Sequence, residues 1–218
     1  CSHTDKDTTC PVMHNTATAI QAKEYESVLH SIAVKQKKFS GQRNRSETDT
    51  ISSQWVDFWI ETIGTDLYEA WKGTAWDFNG HTSKPHQGSI ACGYFVTTIL
   101  SDMGMSINRI KLSTCPSMQM MKAICPDQKI QNLSNLGMEE FNARLTGIGK
   151  AVYIIGLDFH TGIIVSDETG NWFIHSNYIK RQGVVKEAVL TSAALRASRT
   201  RWIVSLTSSK AAMNNWLR

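Results

Sequence analysis

Residues 151–178 read AVYIIGLDFHTGIIVSDETGNWFIHSNY. Ala151 to Ile155, Phe159 to Ser166 and Trp172 to Tyr178 are short runs rich in β-branched and aromatic residues, parted by polar or glycine-containing turns, which is the pattern of paired strands. Val184 to Leu190 and Trp202 to Leu206 extend it downstream. Upstream the periodicity is helical. Ile20, Val28, Leu29, Ile32 and Val34 mark an amphipathic helix between Ala17 and Phe39. Trp55, Phe58, Trp59, Ile63, Leu67 and Trp71 mark a second, with Thr50 or Ser52 near its start and Gly64 as a point where it divides. A third opens at about Ala91, carries Phe95, Val96, Ile99, Leu100 and Met103 at helical spacing, and stops at Gly104. Further helices are predicted from Pro116 to Ile124 and around Met138 to Leu145. Helices first and an antiparallel β-sheet afterwards define an α+β chain with N-terminal helices packed on the sheet.

At 218 residues the chain can bury one substantial core. The expected organisation is a flexible tail over 1–15, a helical extension over 16–49, the main domain over 50–208 and a C-terminal tail over 209–218. Apolar residues at 41% against 19% charged, with seven Trp spread along the chain, exclude a disordered protein. No apolar run approaches the ~20 residues needed to cross a bilayer. The formal charge is only +4, and the densest basic patch (Lys35, Lys37, Lys38, Arg43, Arg45) lies in a Gln/Ser/Gly-containing stretch that reads as solvated, so nucleic acid is not an expected partner. Five cysteines include no Cys-x-x-Cys pair, which argues against structural zinc. Cys115 and Cys125 stand close enough for a small disulfide loop, and whether they form one is left open. The opening Cys1-Ser2, followed by a polar stretch to Thr9, is similar to a bacterial lipoprotein after signal-peptide removal, with the lipid on Cys1 as a membrane attachment. The alternative is that the sequence simply begins at a cysteine.

Cys92 falls in the first turn of the third helix, where unpaired backbone N–H groups can lower a thiol's pKa and can also bind an oxyanion. A buried structural cysteine is the competing reading. In Leu157-Asp158-Phe159-His160-Thr161-Gly162-Ile163, strand alternation sets Leu157, Phe159, Thr161 and Ile163 on one face and Asp158, His160 and Gly162 on the other. It therefore turns His160 away from the core beside a glycine that leaves room for an approaching group. Asp167-Glu168-Thr169-Gly170 is a hairpin connection; as a four-residue loop it sets His175 opposite Gly162 and Asn177 opposite His160, and a one-step slip changes the partner. Either side chain could orient the His160 imidazole, with His175 preferred.

Four segments, in order, resemble the NlpC-type cell-wall peptidases of the papain-like superfamily. Trp71-Lys72-Gly73-Thr74-Ala75-Trp76-Asp77-Phe78-Asn79-Gly80 is similar to the family's Gly-Thr-x-Tyr-x-aromatic-Gly-Gly segment. Ala91-Cys92-Gly93-Tyr94-Phe95-Val96 is similar to its Asp-Cys-Ser-Gly-Phe-Val nucleophile motif. Phe159-His160-Thr161-Gly162-Ile163-Ile164-Val165 resembles its His-Val-Gly-Ile strand, and Phe173-Ile174-His175-Ser176 its Phe-Ile-His-Ala. The resemblance implies a papain-like fold over about 71–178. It also implies amide hydrolysis through a thioester, with Cys92 as nucleophile, His160 as base and His175 as the orienting residue. The implied substrate is a peptidoglycan stem peptide, the implied location the bacterial cell envelope, and no metal or organic cofactor is expected.

The departures bear on substrate and oxyanion. The family's Asp and Ser around the nucleophile, which contribute to recognition of the substrate's free amine, are Ala91 and Gly93 here. Its loop Tyr is replaced by Trp76, which offers only an indole N–H. Gln87, ahead of Cys92 in a manner similar to papain-type enzymes, is a further oxyanion candidate, and Gly93 and Tyr94 complete the set of oxyanion and substrate candidates. Sixty-eight residues separate Cys92 from His160, and the insertion at 105–149 is expected to form a helical flap or cleft wall. An acyltransferase or a protein-directed protease on the same fold remains an alternative, as does an inactive module that binds cell-wall fragments.

Overall fold

The apolar runs after residue 150 form one sheet, with the strands Ala151–Gly156 and Thr161–Asp167 at its centre buried on both faces. The computed structural model describes residues 11–42 and 48–218. Its elements run α1 (Pro11–Gln42), α2 (Thr48–Glu61), α3 (Tyr68–Trp71), α4 (Cys92–Asp102), α5 (Arg109–Ser113), α6 (Ser117–Ile124), β1 (Gln131–Asn132), α7 (Met138–Ile148), β2 (Ala151–Gly156), β3 (Thr161–Asp167), β4 (Gly170–Asn177), β5 (Gly183–Ala188), α8 (Ala193–Ala197), β6 (Trp202–Ser205) and α9 (Lys210–Trp216). The sheet order is β1-β6-β2-β3-β4-β5, and each neighbouring pair is antiparallel. The chain is thus a mixed α+β protein.

One face of the sheet presents Val152, Ile154, Ile163, Val165, Ile174, Val184 and Val204 to a core shared with α1, α2, α4, α6 and α9. The other presents Tyr153, Ile155, Ile164, Phe173 and Ile203 to Phe141 and Leu145 of α7 and to Ala194 and Leu195 of α8. The sheet therefore carries helices on both faces, which is why β2 is a continuous apolar run rather than an alternating one. In α1 the buried stripe is Tyr25, Ile32 and Phe39, spaced by seven, whereas Val34, expected on that stripe, is 55% exposed. These contacts make α1 part of the main core.

Several expectations are corrected. Gly64 does not divide its helix. A π-helical stretch, Thr62–Leu67, joins α2 to α3, and the Gly64 carbonyl accepts a 2.8 Å hydrogen bond from Lys186 Nζ. The tail expected over 1–15 gives way to helix at Pro11, and that expected over 209–218 contains α9. Ser209 caps α9 by accepting from Ala212 N–H, and Trp216, fully buried, packs its ring 5.0 Å from that of Trp55 and 5.5 Å from that of Phe39. Cys115 and Cys125 are both free thiols, Cys125 being buried. Met120 and Met121 are core residues. The expectations for Cys1, Cys10, Arg43 and Arg45 lie outside the described residues.

Phe159 and His160 exchange their expected environments. β3 starts at Thr161 rather than Phe159, because Leu157 N–H donates to His160 O at 2.8 Å and closes a tight turn over 157–160. That turn suspends the two-residue period. Phe159 is consequently 99% exposed, and His160, expected to face outward, is only 6% exposed.

Candidate functional site

The chain reaches Cys92 through a short hairpin. His81 pairs antiparallel with Ile90, Ala91 N–H donates to Gly80 O at 2.8 Å, and Ile90 N–H donates to Ala75 O at 2.9 Å. Gly80 is required there, since a Cβ would lie 2.6 Å from Ile90 N. Ala91 is extended and caps α4 without a side-chain hydrogen bond, which leaves the N–H groups of the first turn unclaimed. Two of them, on Cys92 and Gly93, lie close enough to the Cys92 sulfur to draw its pKa down, as does the backbone N–H of Thr161. The half-buried thiol therefore lies against the residue that follows His160. Burial pushes its pKa above the ordinary thiol value, and the three N–H groups only partly offset that. A helix N-terminus alone suggests a lowered value, but desolvation outweighs it.

The strands assemble the histidines. Ile163 stands opposite Ile174 in the β3–β4 register, which, continued past the last paired residues, sets Gly162 against His175. A Cβ on Gly162 would lie 2.5 Å from the Phe173 ring and 2.9 Å from His175 Cβ, so the glycine lets the rings close over the strand. His160 Nε2 and His175 Nδ1 are 2.7 Å apart and hydrogen-bonded. Phe173 stacks on His175 at 4.0 Å, and Tyr178 meets His160 edge-on at 5.1 Å. His175 Nε2 is bonded to Glu187 Oε1 at 3.2 Å, and Ser192 lies close enough to help lower the Glu187 pKa.

Burial, then the neighbouring His175, hold His160 well below the ordinary histidine pKa. Burial also lowers His175, against the opposing pull of Glu187. Burial raises Glu187, but the bonds from His175 and Ser192 outweigh it and hold the carboxylate below its usual range. At neutral pH the row is therefore an ionised carboxylate and two neutral imidazoles, so the His175–Glu187 contact acts as a hydrogen bond from a neutral ring.

Not every candidate joins this row. Asn177 bonds Gln182 Oε1 at 2.8 Å and accepts from Ile179 N–H, so it caps the end of β4 and does not touch His160. Gln87 sits exposed at the far tip of the hairpin, where neighbouring Lys84 pairs with Glu26 of α1, and its hydrogen bonds run through its backbone. It is not beside the thiol, because the hairpin directs its tip toward α1. Tyr94 turns from the histidines to lie under the Arg109 guanidinium at 4.9 Å. Gly93 permits Ser113 to approach α4, as a Cβ there would lie 2.2 Å from Ser113 O. Trp76 is half-buried and packs 6.4 Å from Tyr178, on the rim of the site.

Glu187 and Tyr178 went unnoticed in the sequence. The signal for Glu187 was available, since a charged residue in an apolar strand one register step from His175 needs a partner. A groove of about 710 Å³ runs between α6 and the 157–160 turn, lined by Ser117, Met118, Leu157, Phe159, Arg199 and Trp202 among others, and neither Cys92 nor His160 lines it. One wall thus comes from the 105–149 insertion. No His/Cys/Asp/Glu cluster suited to a metal occurs among the described residues, and no helix among them is long and apolar enough to cross a membrane. No family model matches the chain, and no curated protein or solved structure matches it significantly.

Proposed function

We propose that the chain is a cysteine hydrolase of papain-like, NlpC-like type that cleaves amide bonds through a thioester. The observation that carries this reading is the meeting of three elements. The Cys92 thiol lies close enough to Thr161 N–H to feel it, and His160, the residue before Thr161, is hydrogen-bonded to His175. In this reading the thiol is neutral before reaction. His160 removes its proton as the sulfur attacks the carbonyl carbon, then delivers that proton to the leaving amine. The first-turn N–H groups of α4 receive the oxyanion, with the Trp76 indole N–H as a side-chain candidate.

The substrate class we propose is a peptidoglycan stem peptide, acted on in the bacterial cell envelope. It follows from the four ordered motif resemblances. Alkylation with iodoacetamide followed by peptide mapping tests the site, with labelling concentrated at Cys92 and slowed in His160→Ala expected. Uniform labelling of all free thiols would refute activation. Turnover of muropeptides but not of denatured protein, lost in Cys92→Ala, tests the substrate.

A second reading, a cleft that binds without turnover, is favoured by one observation: Cys92 and His160 are not hydrogen-bonded to each other here. Catalytic hydrogen bonds commonly tighten only when substrate is bound. Muropeptide binding that survives Cys92→Ala, with no turnover by the parent chain, would decide for the binding module.

A further inference from the structure

We propose that Glu187 is a positioning residue that sets the proton pattern of the histidine pair, so that His160 presents Nδ1 as its one basic nitrogen. The inference deepens the Cys92–His160 reading and rests on it.

The β4–β5 register brings Glu187 to this place. Val185 stands opposite His175 and Phe173 opposite Glu187, so Glu187 is the diagonal neighbour of His175 on the same face. An ionised carboxylate can only accept, and a neutral imidazole carries one N–H and one lone pair. With Glu187 accepting at 3.2 Å, the proton of His175 must sit on Nε2, which leaves its Nδ1 as an acceptor. Across the 2.7 Å contact, His160 must then be the donor through Nε2. Its Nδ1 keeps the lone pair, the only position from which a thiol proton can be taken.

Without the carboxylate, the pair could equally run the other way. His175 would donate from Nδ1, and His160 would carry its proton on Nδ1 and be blocked as a base. Glu187 also stands at the end of the row toward which charge spreads when His160 becomes an imidazolium. It touches neither sulfur nor substrate, and acts through two rings. Ser192, at the head of α8, lies close enough to help keep the carboxylate ionised.

The test uses the full chain, labelled with ¹⁵N at histidine, and iodoacetamide as the probe of Cys92. In the unaltered chain at neutral pH, His160 is expected to show a protonated Nε2 and a bare Nδ1. A proton on Nδ1 would overturn the proposal without any mutation. In Glu187→Gln, whose amide can donate as well as accept, His160 is expected to show both tautomers and Cys92 alkylation to slow at least tenfold. Losing the tautomer-fixing carboxylate of a serine triad costs about 10⁴ in kcat, and Glu187 acts one ring further out. Glu187→Asp, which still only accepts, should retain the Nε2–H tautomer. An alkylation rate in Glu187→Gln within about twofold of the parent, with one unchanged tautomer, would overturn the proposal. If His160→Ala alkylates as fast as the parent, it is the underlying Cys92–His160 reading that fails.

Discussion

Gly93→Ala isolates the contact that seats Cys92. The added Cβ would lie 2.2 Å from Ser113 O, 3.1 Å from Ser113 C and 3.4 Å from Ser113 Cα, all backbone atoms with no flexible end to swing away. Ordinary contact lies near ~3.5 Å, so α4 and the end of α5 must part by roughly 1 Å. Overpacking of this kind costs about 1–3 kcal/mol, against a gain of at most about 1 kcal/mol from replacing glycine by alanine in a helix. The sign is therefore destabilising, by about 1–2 kcal/mol. The movement also carries the Cys92 sulfur away from Thr161 N–H, and a 1 Å misplacement of a reacting group can cost about a hundredfold in rate. Urea unfolding and Cys92 alkylation should register both losses. Serine, the residue at this place in the resembled motif, should behave like alanine. A Gly93→Ala chain as stable as the parent, with an unchanged alkylation rate, would refute both the clash and its link to the sulfur.

Trp216→Ala removes a fully buried ring from contact with Trp55, Trp59, Phe39 and Phe58, and should cost about 3–5 kcal/mol in urea unfolding, as truncations of buried aromatics do. Asp102 accepts from Tyr25 Oη and Trp71 Nε1, and burial raises its pKa to about 7. Asp102→Asn keeps an acceptor and removes the charge, so its melting temperature should exceed the parent's by more at pH 8 than at pH 5. In that variant the histidine effect is no longer opposed by Asp102. His160 and His175 have depressed folded pKa values, so the unfolded chain binds more protons below about pH 6.5. Stability should be level above that pH and fall as pH drops below it, by up to about 1.4 kcal/mol per unit for each ring, and the fall should shrink in His160→Asn. A melting temperature that rises on acidification would reverse the sign. Tyr178→Ala uncovers the His160 edge and should raise the apparent pKa for His160 seen by NMR, since burial is its leading cause of depression.

Strand existence, the β3–β4 register and the position of Cys92 at a helix start were legible because each rests on short-range pattern. Apolar runs, a polar two-residue turn at Glu168-Thr169 and a Gly104 stop act within a few residues of where they stand. Ala193–Ala197 and Lys210–Trp216 were not legible. The first has only five residues, and the second owes its helix to Trp216 finding Trp55 and Phe39, far away in sequence. The burial of His160 likewise depended on one backbone hydrogen bond, from Leu157 N–H, that no alternation rule contains.

By itself the sequence determined which residues could do chemistry: a thiol where backbone N–H groups are free, and imidazoles on and just before strands whose pairing follows from the turn between them. Only the tertiary structure decided how those groups behave. The second layer, α7 and α8, closes the sheet face that carries Phe173 and Glu187, and α5 presses Ser113 onto Gly93. Desolvation from that packing leaves Cys92 and both histidines neutral and gives His175 a carboxylate to face. Burial is a sum over neighbours distant in the chain, and local spacing carries no record of it.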